Sequence, residues 1–349
     1  MVSVDHRVSL AGLGVAHPPA IGQDDLWHGF FARHYQGVQR AIAERIFRNA
    51  GVDTRHGAVN PLVEDVTGWP TARRMERYLV EALPLGKAAV ADALAAAGLD
   101  AADVGMFVVC SCTGYVTPGL DILLARDLGM PADTQRLFIG HMGCYAALPG
   151  LGAATDYVRS RGRPAVLLCA ELTSLHVQPS AADTEQIVAH ALFSDAAAAA
   201  VLLPGSDKHL VHDVASVTDV ATAGHMTWDV TDLGFRMGLS PRVPDVLSAH
   251  VAPLVDTLLA RHGMTRDQID GWAVHPGGPR ILDVVADRLA LPDPALAASR
   301  GTLATHGNCS SPTVLMILDR LRRSVDPRRV VLLAFGPGLT LYSALLGEG

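Results

Sequence analysis

The chain has 349 residues, enough for a large core or two fused domains, and its 49% apolar and 18% charged residues exclude a disordered polymer. A formal charge of -7 offers no basic footprint for nucleic acid. No apolar run approaches the roughly 20 residues of a membrane span. The N-terminal stretch "MVSVDHRVSLAGLGVAHPP" lacks the basic start and long apolar core of a signal peptide. With five cysteines, an odd count, the expectation is a cytoplasmic protein with reduced thiols.

Taken in chain order, short apolar blocks alternate with helical ones. "VSLAGLGVA" predicts a strand stopped by Pro18-Pro19, "GKAAVADALAAAGL" (86–99) a helix ending at Gly98, and "VGMFVVCSC" (104–112) a buried strand. "LDILLARDLGM" is a helix, "RLFIG" (136–140) a strand, and "CYAALPGLGAATDYVRSRG" a helix with Pro149 early in it. "PAVLLCAEL" (164–172) and "AAAAAVLL" (196–203) are strands. A second run follows. "LSAHVAPLVDTLLARHGM" (247–264) is a helix, "GWAVHPGG" (271–278) a short strand and turn, and "PRILDVVADRLAL" a helix. "NCSSPTVLMILDRLRR" (308–323) is a helix with a polar start, and "RVVLLAFGPGLTLYSALLG" holds two strands around a glycine turn. The pattern predicts a duplicated α/β architecture, residues 1–205 and 206–349, with its seam at the turn Pro204-Gly205-Ser206-Asp207.

Three polar side chains stand at corners of this pattern. Cys144 follows a strand and precedes a helix of small residues, where the positive end of the helix dipole favours thiolate. A buried packing cysteine is the competing reading. His275 ends an apolar strand before a Pro-Gly-Gly turn, a placement that mirrors Cys144 and faces the crevice where α/β folds bind ligands. Asn308 opens "GNCSSPTVL", either as an N-cap or as an amide donor aimed into the same crevice. A thiol, an imidazole and a carboxamide suit acyl transfer with carbon–carbon bond formation: the imidazole holds the thiolate, then imidazole and amide stabilise an enolate oxygen. No GxSxG, P-loop, HExxH or GxGxxG competes, and no CxxC suggests a metal. "AFGPGLT" (334–340) has no phosphate-binding lysine and reads as a tight turn that lets backbone approach the site.

The stretches "CTGYVTPGLD", "GCYAALPGL", "ALFSDAAAAAV", "WAVHPGGPRILD", "GNCSSPTVLMILD" and "FGPGLT" together resemble the type III polyketide synthases, the chalcone and stilbene synthase superfamily. The resemblance spans most of the chain. It implies the thiolase fold, a duplicated αβαβα five-layered core, working as a homodimer without metal or organic cofactor. Cys144 is then the acyl-carrying nucleophile, with His275 and Asn308 decarboxylating a malonyl-CoA or methylmalonyl-CoA extender. The starter is an acyl-CoA or an acyl carrier protein thioester, and the product a pyrone or resorcinol-type ring.

The resemblance also places substrate contacts. Phe193 and Phe235 match the gatekeepers between CoA tunnel and cavity. Arg45 and Arg48 fall where basic residues meet CoA phosphates, although a solvated helix face explains them almost as well. Ser310 stands beside Asn308 at the head of its helix. Cys112 and Thr113 replace Thr and Ser of the plant enzymes, and Thr117 replaces a Met that reaches the neighbouring subunit's cavity. His176 lies where a Thr lines the cyclisation pocket, and Met226 adds bulk where Gly is common. Two relatives in function remain to be separated from this reading: a single-condensation ketoacyl synthase, and a non-catalytic acyl-thioester-binding protein.

Overall fold

The apolar blocks too short to be core helices become strands. The computed structural model describes residues 7–180, 183–206 and 208–349. Among these residues the strands are, in chain order, β1 (Val8–Ala16), β2 (Ala20–Gly22), β3 (Thr54–His56), β4 (Met106–Cys110), β5 (Gln135–Ile139), β6 (Ala165–Leu172), β7 (Asp195–Pro204), β8 (Leu210–Thr218), β9 (Met226–Thr231), β10 (Gly234–Leu239), β11 (Gly271–Val274), β12 (Arg329–Gly336) and β13 (Thr340–Gly347). Nine of them form one mixed sheet in the order β11-β12-β13-β8-β1-β7-β6-β4-β5.

That order contains a repeat. Reading inward from one edge, β4 and β6 are parallel, β7 is antiparallel to β6, and β1 is antiparallel to β7. From the other edge, β11 and β12 are parallel, β13 is antiparallel to β12, and β8 is antiparallel to β13. The two runs meet where β1 pairs with β8 through Ser9 and Leu210. Only the first run carries an extra edge strand, β5, parallel to β4. Asp207, part of the expected seam, lies outside the described residues, as do residues 1–6.

Five layers result. Helix Thr71–Ala97 covers β1, β6 and β7 from outside, and helix Val243–Ala260 covers β8 and β13 from the opposite side. Helices Ala147–Arg161 and Pro312–Ser324 lie between the two halves of the sheet and touch strands of both. Their small and aliphatic residues, Ala147, Leu148, Leu151, Val314, Leu315 and Leu318, are buried, and they fuse the inner layers into one continuous core. Burial on every side explains why the first two turns of both central helices read as apolar almost all round, while their charged C-terminal turns reach the surface at Arg161 and Arg323.

Two expectations change. The helix expected over 86–99 begins at Thr71 and ends at Gly98, whose φ of 64° forms a left-handed cap. The charged segment before Pro84 hid the earlier turns. Arg74 there is fully buried, because the carbonyls of Val66, Trp69 and Leu175 accept from its guanidinium. Helix Val243–Ala260 is also long and apolar enough, by length and composition, to cross a membrane; here it buries Leu247, Val251, Val255 and Leu258 against the sheet. The helix expected over 247–264 has the same length but sits four residues earlier, with Pro244 in its first turn.

Candidate active site

Three chain reversals aim the expected side chains at one place. Cys144 sits in a single 3-10 turn, Gly143–Tyr145, between β5 and helix Ala147–Arg161. His275 leaves β11, its amide donating to the Leu333 carbonyl at 2.8 Å. Asn308 lies four residues before helix Pro312–Ser324, so it does not cap it. It bridges instead to Phe193: the Asn308 amide donates to the Leu192 carbonyl (2.8 Å) and the Ser194 amide to the Asn308 carbonyl (3.0 Å). Cys144, His275 and Asn308 all line one enclosed cavity, closed by Phe193, Met226, Met237 and Phe335.

The glycine turn that follows β12 lets the backbone come this close. Gly143 has φ of 69°, and a Cβ there would stand 2.9 Å from Pro337. A Cβ on Gly336 would stand 2.9 Å from the Tyr145 ring and 3.4 Å from the Cys144 nitrogen. Glycine is therefore required on both sides of the contact.

Each polar group has a defined state. Burial pushes the Cys144 thiol up to about 12, against the pull of the Ser310 hydroxyl, which donates to Sγ at 3.4 Å. The resting residue is a thiol rather than the thiolate expected from the helix dipole, because desolvation outweighs a helix whose first turn begins only at Ala147. Its hydrogen-bond partner is Ser310, not His275. Burial likewise pushes His275 down to about 3, so its imidazole is neutral at physiological pH. His275 Nδ1 is sealed from solvent with no partner, which leaves Nε2 as the nitrogen that opens on the cavity. No bond at Nδ1 fixes the tautomer, so Nε2 can serve as lone pair or as N–H. Asn308 is constrained the other way. Its Oδ1 accepts the Ser310 amide at 2.8 Å, which orients the carboxamide and leaves its NH2 free to donate.

Behind Cys112 lies a carboxylate that sequence reasoning missed. Glu171, fully buried on β6, accepts from the Thr113 hydroxyl (2.7 Å), the Ser311 hydroxyl (2.8 Å) and the Cys112 amide (3.0 Å). Burial raises its carboxyl above the usual range while these donors pull it back. Glu171 thus ties the loop after β4 to the start of helix Pro312–Ser324. One charged residue inside the apolar run "AVLLCAEL" was the available signal.

The other expected contacts divide by position. A mostly apolar surface groove of about 700 Å3 leads to the cavity and shares Leu192, Met226, Leu239, Gly277 and Phe335 with it. Arg45 and Arg280, the latter unforeseen, line this groove; Arg48 points elsewhere, paired with Glu44 at 2.8 Å on an exposed face. An inner chamber lies beyond and shares Ala189, Phe193 and Met237 with the cavity. Phe193 therefore stands between the two spaces, while Phe235 walls only the inner chamber, stacked on His176 at 4.5 Å. Met226 narrows the junction of groove and cavity and does not line the inner chamber.

His176 lines the inner chamber with both nitrogens committed. Nδ1 accepts the Phe235 amide (2.9 Å), so Nε2 carries the proton and donates to the Thr113 carbonyl (2.6 Å). Thr113 lines none of these spaces, because its hydroxyl donates to Glu171 and accepts the Leu172 amide. The Cys112 sulfur lies 4.0 Å from the Ser310 hydroxyl, which thus stands between two thiols. Thr117 is exposed on the surface of the single chain and lines none of the cavities described.

A duplicated α/β sheet with a cysteine, a histidine and an asparagine on one closed cavity defines the class of thiolase-like condensing enzymes. Comparison with known proteins narrows the class. Residues 54–208 match the family model described as "Chalcone and stilbene synthases, N-terminal domain", and residues 211–348 match its C-terminal counterpart. The chain is 37% identical to a 1,3,6,8-tetrahydroxynaphthalene synthase of Streptomyces peucetius subsp. caesius, over 98% of this chain and 94% of that protein. It is 32% identical to the α-pyrone synthesis polyketide synthase-like Pks18 of Mycobacterium tuberculosis, over 88% and 82%. The crystal structure of PKS-I from the brown alga Ectocarpus siliculosus superposes with a TM-score of 0.92 at 27% identity, covering 98% of both chains. The chain belongs to the chalcone and stilbene synthase family and is a type III polyketide synthase.

Proposed function

We propose that Cys144 carries the growing chain and that His275 and Asn308 drive decarboxylation of a malonyl-CoA-type extender. The observation that supports this most directly is the fixed Asn308 amide, whose NH2 shares one cavity with the Cys144 sulfur and His275 Nε2.

The cycle begins when a starter acyl thioester enters by the groove. As the Cys144 sulfur attacks the thioester carbon, its proton passes to the departing CoA sulfur, so that CoA leaves as the thiol, while the neutral His275 Nε2–H donates to the thioester oxygen. An extender then binds with its thioester oxygen between His275 Nε2–H and the Asn308 NH2. Its carbon–carboxylate bond breaks, carbon dioxide leaves, and the electron pair is held as an enolate by the two neutral donors. The enolate carbon attacks the Cys144 thioester, a carbon–carbon bond forms, and the cysteine thiolate leaves. Thiol exchange returns the lengthened chain to Cys144, and Phe193 separates the incoming CoA arm from the chain growing into the inner chamber. Arg45 and Arg280 meet the CoA phosphates at the groove. The pairing of Arg48 with Glu44 argues against the same role for Arg48.

Met226 at the narrow junction favours slim starters, and the relatives named for tetrahydroxynaphthalene and α-pyrone products support a cyclised pyrone or aromatic product. The working unit is a homodimer in which Thr117 serves the partner's cavity, with residues 1–205 and 206–349 as its two duplicated halves. The decisive experiment incubates purified protein with acyl-CoA starters plus malonyl-CoA or methylmalonyl-CoA and reads products and peptides by mass. An acyl adduct on Cys144 and a product with two or more extender units are expected. A product with a single extender unit overturns iterative synthesis.

A further inference from the structure

Three histidines outside the reaction path converge from distant parts of the chain. His17 follows β1, His56 ends β3, and His306 ends the helix Ala297–His306. Their rings stack nearly parallel, with centroids 4.4 Å apart for His17 and His56, 4.5 Å for His17 and His306, and 5.1 Å for His56 and His306. One ring nitrogen from each lies within 4.8 Å of the other two.

The hydrogen bonds set the tautomers of two of these rings. His56 Nδ1 is 2.9 Å from the Pro18 carbonyl. A carbonyl only accepts, so Nδ1 carries the proton and Nε2 presents its lone pair. That Nε2 accepts a hydrogen bond from His306 Nδ1–H at 3.0 Å, and a metal ion would take the place of this proton. His17 Nδ1 is sealed from solvent with no partner, which is rare for a buried polar atom. A cluster meant only for packing has no need of three polar rings in mutual contact.

Charge and access agree. Burial, then the neighbouring His306 and His56, push His17 down to about 3 against the pull of the Asp195 carbonyl. Burial, His56 and Arg320 push His306 down to about 4. Both rings are neutral at physiological pH, the form that binds metal. A groove of about 430 Å3, lined by His17, His306, Asp319, Arg320 and Arg323, reaches the cluster from the surface. Asp319 is paired with Arg323 at 3.0 Å, and Arg320 is the charge that opposes a cation.

We propose that His17, His56 and His306 form a binding site for a divalent transition metal of the zinc class, with three imidazole ligands and a fourth position facing the groove. Zinc–nitrogen bonds of about 2.0–2.1 Å in a tetrahedron put ligand nitrogens roughly 3.4 Å apart, so the hydrogen-bonded pair His56 and His306 opens by a few tenths of an ångström on binding, and the stacked His17 ring turns to bring its nitrogen to the ion. The ion braces the reaction cavity from behind. His306 is two residues from Asn308, and the His56 amide donates to Ser194, the neighbour of Phe193, at 2.8 Å.

The test uses full-length protein stripped by EDTA, as wild type, His17→Gln and His306→Gln. Zn2+ is titrated by calorimetry and Co2+ by visible absorption. One ion per wild-type chain, tetrahedral Co2+ bands without thiolate charge transfer, and a higher Tm with Zn2+ are expected. The variants should lose at least the ~10–100-fold in affinity that even an orienting partner contributes, while keeping the metal-free Tm. Three results overturn the site: no stoichiometric Zn2+ binding by wild type, equal affinity in the variants, or a thiolate band that puts the ion on cysteine. If a variant does not fold, Zn2+ protection of wild-type histidines from diethyl pyrocarbonate decides, and unchanged modification of His17 and His306 rejects the site.

Discussion

The loops that leave β4 and β11 occupy matching places in the two halves of the sheet, yet they differ in how their polar atoms are used. After β4, the Ser111 hydroxyl accepts from Tyr78, the Cys112 amide and Thr113 hydroxyl donate to Glu171, and the Cys112 and Thr113 carbonyls accept from Trp228 and His176. After β11, His275 keeps a buried Nδ1 without a partner and an Nε2 that opens on the cavity. The first loop is built to hold position, the second to hold substrate. Between these two loops, the unsatisfied polar atom separates the reacting side from the supporting one. Cys112 is as much a thiol as Cys144, but it belongs to the satisfied loop.

The comparison can be broken most severely at the open side. Cys144→Ala should lower product formation by at least about 10^4-fold, the scale on which a nucleophile is lost, and still release carbon dioxide from malonyl-CoA. A mutant that forms product at a tenth of the wild-type rate would move the nucleophile elsewhere, with Cys112 the first candidate. Next in size, His275→Gln and Asn308→Ala should each slow malonyl-CoA decarboxylation about 10^2–10^3-fold, as expected for one donor to a developing oxyanion. Asn308→Ala should leave the acyl loading of Cys144 much less affected, because loading uses only sulfur and imidazole.

The closed side should respond in stability. Glu171→Ala strands the buried Thr113 and Ser311 hydroxyls and the Cys112 amide, and should cost about 2–4 kcal/mol in urea unfolding. Glu171→Gln, which keeps an acceptor oxygen, should cost less. Equal losses in both variants would mean that the charge, not the acceptor geometry, matters.

The smallest effect is in pH. His275 is held near 3 in the folded chain against about 6.5 in an unfolded one, so the unfolded state binds the extra proton between those values. Stability should therefore be intact above pH 6.5 and fall as the pH drops toward 3. His176 and His190, also held near 3 by burial, add to the slope. His275→Gln should flatten the slope by close to one proton midway between those values; an unchanged slope would mean that His275 is already paired or hydrated.

Much of this site was legible because its residues stand at corners that the pattern marks. Cys144 follows an apolar strand, His275 follows another, and Asn308 precedes an apolar helix. Their matching is different in space. The linear pattern sets His275 opposite Cys144, whereas the sheet order pairs His275 with the loop after β4, and Cys144 with Ser310 and Ser311, each at the head of a central helix. A linear pattern gives strand, turn and helix but not strand order, and order decides which corners are equivalent. Arg280 and Glu171 were missed for a related reason: nothing local separates a groove arginine from a solvated one, or a clamping carboxylate from a strand-end charge.

By itself the sequence determined the alternation of strands and helices, the family and the three residues that meet in the cavity, because periodicity, glycine turns and side-chain chemistry are local properties. Tertiary structure decided the protonation states, since a thiol near 12 and an imidazole near 3 follow from burial. It also decided that Phe193 stands at a junction while Phe235 lines a wall, that Thr113 supports rather than contacts the cavity, and that His17, His56 and His306 share one cluster. Each of these depends on which distant segments exclude water together, and no stretch of sequence contains that information.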